Sequence, residues 1–330
     1  MSNHRSPITN KKALLLILGP TGVGKTELSL RVAEHLGCPI VSCDSRQVFR
    51  EIPIGTAAPT AEEQARVKHY FIGTRSIKDD YSAGQYERDV MEVLDSLFAS
   101  HDTILMTGGS MLYADAVCNG LDDLPNVPEA IRKQVKWDEL RMTKEEWISW
   151  LQSEVKRLDP VYWEKVDRQN PARLAHCVEL CLTTGKPYSS LLTKSAISNH
   201  PSPITRRPFR IVKTALERPR EELYERINRR VEQMIADGLE NEARNVYQWR
   251  NLPSLQTVGY REMFAYFDGE YSLERAVELI QQNSRHYAKR QMTWFRRDKE
   301  IKWLQANNAY ETNISIIDSL LGIGGVQEED

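Results

Sequence analysis

The sequence contains no hydrophobic run long enough to cross a membrane. The purely apolar run near its start, Ala13–Leu18, is far shorter than the roughly 20 residues that a transmembrane helix needs. The residues before it, MSNHRSPITNKK, are polar and lack the apolar segment and the small-residue cleavage site of a secretory signal. We therefore expect a soluble protein of the cytoplasm with no membrane partner.

The five cysteines form no recognised ligand or disulfide pattern. No two of them have the CxxC spacing, and none follows residue 181. Cys177 and Cys181 are four positions apart, on what the periodicity predicts to be an apolar helix face. We expect reduced thiols in the core, not zinc ligands or disulfides.

Alternating strand and helix patterns occupy both ends of the chain. At 330 residues the chain is longer than one typical core serves, so two domains are expected. Residues 119–202 differ, because they form helical segments broken by proline, glycine and asparagine. The sequence predicts an α/β core from residues 1–118 and 203–330 with a helical insertion domain at 119–202. The predicted strands are Lys12–Leu18, Pro39–Cys43, Thr103–Thr107, Phe209–Leu216 and Ile301–Leu304, and the predicted helices include Glu27–Leu36 and Leu273–Arg297.

A glycine-rich phosphate loop follows the first predicted strand. The residues GPTGVGKT satisfy GxxxxGK[ST] between a strand and a helix, which is the context that this motif requires. Its glycines allow backbone N–H groups to point at phosphate oxygens, Lys25 adds a cation, and the Thr26 hydroxyl can bind Mg²⁺. The motif predicts a site for a diphosphate or a nucleotide such as ATP, formed by Gly19, Pro20, Thr21, Gly22, Val23, Gly24, Lys25 and Thr26.

A carboxylate follows the second predicted strand, in the sequence VSCDSRQV. Doubly wound sheets bring residues at such strand ends to the ligand crevice, so Asp44 is expected beside the phosphate loop. Asp44 could act as a general base, could bind Mg²⁺, or could cap a helix together with Ser45. The third predicted strand ends in Gly108-Gly109 without the acidic residue common in ATP-hydrolysing enzymes, which disfavours ATP hydrolysis.

Six ordered motifs between residues 19 and 297 resemble the bacterial tRNA dimethylallyltransferase family: GPTGVGKT, DSRQVF, IGTAAP, GGSMLY, VGYRE and KRQMTWFRR. The resemblance implies a P-loop NTPase-like parallel sheet with helices on both faces and an inserted helical domain. It also implies transfer of a dimethylallyl group from dimethylallyl pyrophosphate to N6 of adenosine 37, beside the tRNA anticodon, with Mg²⁺ and release of pyrophosphate. Asp44 would be the base, while Thr21 and Arg230 would help hold the pyrophosphate.

A basic, aromatic segment near the end of the chain suggests an RNA contact. Residues 285–297 interleave lysines and arginines with Tyr287, Trp294 and Phe295, which could bind phosphates and stack on unpaired bases. The alternative is an amphipathic helix with its aromatic side chains in the core. The net charge of the chain, −2, does not by itself favour binding of a nucleic acid.

By resemblance, the tRNA anticodon stem-loop would contact both this segment and the insert. Two positions depart from the family pattern, since Ser110 replaces a usual threonine and His176 stands where arginine is frequent. The implied RNA-contacting residues are Asp44, Ser45, Arg46, Gln47, Ser110, Arg132, Ala172, Arg173, Leu174, Ala175, His176, Gln256, Thr257, Val258, Gly259, Tyr260, Arg261, Lys289, Arg290, Gln291, Met292, Thr293, Trp294, Phe295 and Arg296.

Three other functions are compatible with parts of the pattern. An isopentenyltransferase acting on free adenine nucleotide would share the loop and the base but would not need the segment 285–297. A small-molecule kinase would use the loop for ATP, and a non-catalytic RNA-binding protein would need neither the loop nor Asp44. We expect a transferase that acts as a monomer.

Overall fold

The computed structural model of the chain describes residues 12–122, 124–136, 140, 142–192 and 207–323. It divides into two compact units, one formed by residues 1–118 with 207–330 and the other by residues 119–206. The strands are β1 (Ala13–Leu18), β2 (Ile40–Ser42), β3 (His69–Tyr70), β4 (Thr103–Gly108), β5 (Arg210–Glu217) and β6 (Lys302–Gln305).

The six strands form one parallel sheet in the first unit. Their order is β3-β2-β4-β1-β5-β6, so β1 lies inside the sheet between β4 and β5. The register pairs Leu18 with Gly108 and Ser42 with Thr107, which brings the carboxyl ends of β1, β2 and β4 to the same edge. The segments that follow these three strands therefore meet in space, which is where an open parallel sheet binds ligands.

Helices cover the sheet of the first unit, and further helices form the second unit. Those of the first unit are α1 (Lys25–Leu36), α2 (Ala61–Arg66), α3 (Ala83–Leu97), α4 (Met111–Asn119), α10 (Arg220–Ala236), α11 (Leu239–Val246), α12 (Tyr260–Phe267), α13 (Leu273–Phe295) and α14 (Tyr310–Leu321). Those of the second unit are α5 (Glu129–Val135), α6 (Lys144–Leu158), α7 (Pro160–Trp163), α8 (Pro171–Thr184) and α9 (Tyr188–Leu191). None of the described helices is both long and apolar enough to cross a bilayer.

The central strand β1 is buried along its whole length because both faces of the sheet are covered. Leu14 and Leu16 belong to a core that includes residues of α3 and α4, while Leu15 and Ile17 belong to a core that includes residues of α1, α10 and α14. A strand buried on both sides reads as a continuous apolar run, which is the pattern that predicted it. The predicted parallel α/β fold is thus confirmed.

Two further apolar clusters lie away from the sheet. One contains residues of the four helices α10, α11, α12 and α13, packed together with Phe49 and Ile52. The other is the core of the second unit, where α5, α6 and α8 pack around Leu151 and Val178. All five cysteine side chains are buried, as predicted for core thiols.

The structure differs from the predicted elements mainly at their ends. Helix α1 begins at Lys25, not at Glu27, because Gly24 already has the left-handed conformation of the N-cap residue and the last residues of the motif are helical. Strand β3 was not predicted, since its two residues are too short to show alternation. The end of the insert that was predicted at residue 202 lies outside the described residues, because the structure does not describe residues 193–206.

Candidate active site

A cleft of about 1330 Å³ opens at the carboxyl edge of the sheet. Its walls come from the phosphate loop, the turn after β2, the loop of residues 53–59, α10 and α13. Thr21, Lys25, Thr26, Asp44 and Arg230 all line it. Of the residues that the sequence assigned to pyrophosphate binding and to catalysis, Gly19, Pro20 and Val23 do not line this cavity, and all the others do.

The phosphate loop curls around the side chain of its own lysine. Nζ of Lys25 donates hydrogen bonds of 2.9 Å to the carbonyl oxygens of Gly19 and Pro20. Gly22 has a φ of 80°, and a Cβ there would lie 2.8 Å from Cγ1 of Ile227. Only glycine meets both conditions, because an L side chain is strained at this φ and would collide with α10.

Burial changes the charge state of Lys25. The pKa of its ammonium is lowered to about 8, chiefly by desolvation and also by the charge of Arg230, while the charge of Asp44 acts in the opposite direction. An ammonium with a pKa near 8 loses its proton at only mildly alkaline pH. An arriving pyrophosphate would favour the protonated form, because an opposite charge nearby stabilises an ammonium.

We expect the affinity for inorganic pyrophosphate to fall as the pH rises through about 8. The physical reason is deprotonation of Lys25, whose pKa is lowered to about 8 by burial. One proton lost from the binding cation predicts a dissociation constant that rises about tenfold per pH unit above that point. Isothermal titration between pH 7 and pH 9.5, in buffers of different ionisation enthalpy, should also detect about one proton taken up on binding at the alkaline end.

The Lys25→Arg variant is the matched control for this titration. Arginine stays charged over the whole range, so the part of the pH dependence due to Lys25 should disappear while that of the pyrophosphate itself remains. An equally steep loss of affinity in both proteins would show that Lys25 is not the titrating group.

Three arginines from the segment 218–230 hold the phosphate loop and line the cleft. Nη1 of Arg230 donates to Oγ1 of Thr21 at 3.1 Å, and Nε of Arg226 donates to the carbonyl oxygen of Gly22 at 2.9 Å. Nε of Arg218 lies 3.4 Å from the carbonyl oxygen of Val23. The pKa of Arg230 is lowered, first by desolvation. The family resemblance implied a role for Arg230, but nothing in the sequence showed that Arg218 and Arg226 bind the loop.

Asp44 uses its two carboxylate oxygens differently. Oδ1 accepts hydrogen bonds from the backbone N–H groups of Arg46 (2.9 Å) and Gln47 (3.3 Å), which closes a turn. Within the described part of the chain, Oδ2 accepts no hydrogen bond. The charge of Asp44 opposes the desolvation that lowers the pKa of Lys25 and Arg230. Asp44 therefore caps this turn and not a helix. Its Oδ2 remains available to accept a proton.

The segment after β4 is bonded to the turn after β2. Oγ of Ser110 accepts from the backbone N–H of Ser45 at 2.8 Å and donates to Oγ of Ser45 at 2.9 Å. Ser110 is buried, so its hydroxyl serves this internal contact. The serine that departs from the family pattern therefore still supplies the hydroxyl that ties the two strand ends together.

Gln291 is a buried brace of the phosphate loop, not a surface residue. Its Oε1 accepts from the backbone N–H of Thr21 at 2.9 Å, and its Nε2 donates to the carbonyl oxygen of Gly109 at 2.8 Å. Its side chain is almost fully buried. Both polar atoms of its amide therefore bond inside the protein, at the wall of the cleft, and an RNA contact of Gln291 stays a prediction.

The side chains of three other predicted RNA-contacting residues are also buried: Leu174, Tyr260 and Phe295. Each belongs to an apolar core, so none of these side chains is available to stack on a base. On the same helix as Phe295, Trp294 is 38% exposed, with the guanidinium of Arg297 over its ring. The amphipathic interpretation of the segment 285–297 therefore fits Phe295, and an RNA contact of the exposed face of α13 stays a prediction.

The remaining predicted RNA-contacting positions of the first unit include several exposed polar side chains. Those of Gln256, Arg261, Lys289, Arg290, Thr293 and Arg296 are exposed. Thr257, Val258 and Met292 are half-buried, and Gly259 is buried. Gln256, Arg261 and Arg290 line the cleft, which places cations along its walls.

In the second unit, Ala172, Arg173 and His176 are exposed on α8 and Arg132 is exposed on α5, while Ala175 is half-buried. Burial lowers the pKa of His176, and Arg132 lowers it further. His176 is therefore neutral near pH 7 and does not supply the positive charge of the arginine that is frequent at this position.

The hydroxyl oxygen of Thr26 is a candidate ligand for a divalent cation. Thr26 is the second residue of α1, its side chain faces the cleft, and it makes no hydrogen bond to another described side chain. No cluster of three His, Cys, Asp or Glu residues that could hold a metal occurs among the described residues. A cation here would be shared between Thr26 and phosphate oxygens, as Mg²⁺ commonly is. The oxygen donors fit such an ion.

The chain is similar over most of its length to one family model and to named enzymes. Residues 47–298 match the model of the IPP transferase family. The chain is 52% identical over 298 residues to tRNA dimethylallyltransferase 1 of Phocaeicola vulgatus, covering 90% of this chain and 95% of the relative. It is 54% identical over 292 residues to tRNA dimethylallyltransferase 2 of Parabacteroides distasonis, covering 88% and 93%.

Solved structures show the same similarity. The full-length tRNA isopentenylpyrophosphate transferase of Bacillus halodurans is 30% identical, with a TM-score of 0.66 over 94% of this chain and 97% of that one. A eukaryotic dimethylallyltransferase acting on tRNA is 21% identical, with a TM-score of 0.72 over 96% of this chain and 81% of that one. At that identity the second structure supports the fold alone.

Proposed function

The chain belongs to the IPP transferase family, and from this premise we propose that it transfers a dimethylallyl group from dimethylallyl pyrophosphate to a tRNA adenosine. The acceptor atom is N6 of the adenosine on the 3′ side of the anticodon, position 37. The products are N6-dimethylallyladenosine and pyrophosphate. The observation that carries the proposal is the shared cleft, which is lined both by the phosphate loop with its cations and by Asp44.

The geometry suits a displacement with a strongly anionic leaving group. N6 attacks the first carbon of the dimethylallyl group, the carbon–oxygen bond breaks, and its electron pair leaves with pyrophosphate. Oδ2 of Asp44 accepts the proton that N6 loses. Lys25, Arg230 and the loop N–H groups stabilise the charge that develops on the pyrophosphate, and no covalent enzyme intermediate is needed.

Magnesium is the cofactor that the donor set fits. Thr26 would hold it together with the pyrophosphate oxygens, and the ion would neutralise part of their charge. Lys25, Arg230 and the loop N–H groups would bind the pyrophosphate directly, and Asp44 would take up the proton.

The proposed RNA substrate fits the distribution of exposed cations. Arg261 and Arg290 line the cleft, and Arg132 and Arg173 are exposed in the second unit. We propose that these residues bind phosphates of the anticodon stem-loop, with the helical unit of residues 119–206 contacting the tRNA. We also propose that the enzyme acts as a monomer in the cytoplasm.

A transfer assay with two acceptors tests the proposed function. Labelled dimethylallyl pyrophosphate and Mg²⁺ are incubated with the enzyme and either unmodified tRNA or AMP, and the modified base is located by mass spectrometry. We expect label on tRNA at the adenosine beside the anticodon and none above background on AMP. Label on AMP alone would assign the enzyme to free nucleotides, and consumption of ATP with a small acceptor would indicate a kinase.

A further inference from the structure

A buried carboxylate outside the cleft, Glu242, holds the loop of residues 53–59. Glu242 lies on α11 and is 8% exposed. Its Oε2 accepts from the backbone N–H of Ile54 and its Oε1 from that of Gly55, both at 2.8 Å. Hydrogen bonds to an ionised acceptor are about twice as strong as neutral ones, so this pair fixes the start of the loop.

Tyr260 completes this contact from α12. Its hydroxyl donates to Oε1 of Glu242 at 2.5 Å and lies 3.3 Å from the carbonyl oxygen of Ile52. A Cβ on Gly55 would lie 2.4 Å from the hydroxyl oxygen of Tyr260, so the loop backbone rests directly on the tyrosine. Neither Glu242 nor Tyr260 lines the cleft, whereas the loop that they hold does.

The other side of the loop is bonded to the turn of the proposed base. Nε2 of Gln47 donates to the carbonyl oxygens of Ala57 at 2.9 Å and Thr56 at 3.2 Å. The backbone N–H of Gln47 donates to Oδ1 of Asp44. Ala57 has a φ of 45°, which is rare for a residue with a side chain and persists only where the surroundings fix it.

We propose that Glu242 and Tyr260 are positioning residues for Asp44. They fix the loop of residues 53–59, the loop carbonyls hold the side chain of Gln47, and the backbone of Gln47 holds the Asp44 carboxylate. Tyr260 belongs to the segment 256–261, part of which lines the cleft. One continuous network thereby sets both the position of this wall of the cleft and the orientation of Asp44.

The consequence for the reaction is a specific loss of turnover, and this part of the inference rests on the proposed function. Asp44 must lie within hydrogen-bond distance of the N6 proton, and a shift of about 1 Å can cost about 100-fold in rate. Pyrophosphate binds at the loop of residues 19–26, which this network does not touch. We therefore expect kcat to fall while KM for dimethylallyl pyrophosphate stays the same.

Two variants and one control test the network. Tyr260→Phe removes a single hydroxyl, and Glu242→Gln forces an NH₂ group towards one of the two backbone N–H donors. We expect kcat to fall about 10-fold and about 100-fold, respectively. Tyr266→Phe is the matched control, because its hydroxyl joins the same two helices but bonds to Glu240, away from the loop. It should keep the wild-type kcat.

Hydrogen–deuterium exchange of the full-length protein gives a readout that does not depend on activity. We expect faster exchange in residues 45–47 and 53–58 of Tyr260→Phe and Glu242→Gln, and no change there in Tyr266→Phe. Exchange that accelerates throughout the protein, or only within α11 and α12, would overturn the inference, as would a Tyr260→Phe enzyme with wild-type kcat. If the wild-type enzyme fails to modify tRNA, the proposed function fails, and the exchange result still decides whether the network exists.

Discussion

Replacing Asp44 by asparagine is expected to lower kcat by about 1,000-fold, within the range that a positioned general base contributes. Asparagine keeps a carbonyl oxygen that can accept from the N–H groups of Arg46 and Gln47, so the turn is preserved. It replaces Oδ2, which would take the proton, by an amide NH₂ that cannot. The loss of turnover would then be due to the missing base, since the backbone of the turn is unchanged. Single-turnover transfer to tRNA is the direct measurement.

Affinity for tRNA and for pyrophosphate should change little in this variant, which separates a defect in proton transfer from a defect in binding. Asp79→Asn is the matched control: Asp79 also accepts a backbone N–H, that of Ser76, but is exposed and outside the cleft. It should be fully active. A rate close to wild type for Asp44→Asn would rule out Asp44 as the base.

Replacing Arg230 by glutamine is expected to lower kcat/KM by about 100- to 1,000-fold, the usual cost of removing one donor from a developing anion. Arg230 is one of the cations lining the cleft, and its guanidinium bonds to Thr21 within the phosphate loop. Glutamine can keep a hydrogen bond to Thr21 but supplies no positive charge. Most of the loss should appear in kcat, because the negative charge on the leaving oxygen grows as the carbon–oxygen bond breaks.

Product inhibition gives an independent check, since pyrophosphate should inhibit the Arg230→Gln enzyme more weakly. Arg244→Gln is the control, because Arg244 is exposed, pairs with Glu240 at 3.0 Å and lies outside the cleft. An unchanged kcat/KM for Arg230→Gln, with or without altered inhibition, would show that this cation does not stabilise the transition state.

The parts of the site that could be predicted from sequence are those that depend on local spacing. The phosphate loop needs its glycines, Lys25 and Thr26 within a few residues, and the apolar run Ala13–Leu18 identifies the strand before it. Asp44 could be placed in the same cleft because parallel strands end at a common edge. The bonding of its Oδ1 to the turn was not foreseen, since the sequence does not show which backbone groups a carboxylate oxygen will accept from.

The contacts that could not be predicted join residues far apart in the chain. Glu242 bonds to the backbone of Ile54 across 188 positions, and no local pattern distinguishes it from Glu240, the other acidic residue of α11. Trp294 and Phe295 are neighbours of similar chemistry, yet one is exposed and the other buried. Consecutive residues of a helix point about 100° apart, so only the packing of α13 decides which of them can reach RNA.

The bond between Thr21 and Gln291 also concerns the order in which the protein is made. The two residues are 270 positions apart, so the brace of the phosphate loop emerges from the ribosome long after the loop itself. Domains generally begin to fold from the N-terminus during synthesis, but this loop stays without its support until α13 has been translated. A nascent or prematurely terminated chain that ends before α13 therefore lacks this bond to the phosphate loop, although the bonds from Arg218, Arg226 and Arg230 can already form.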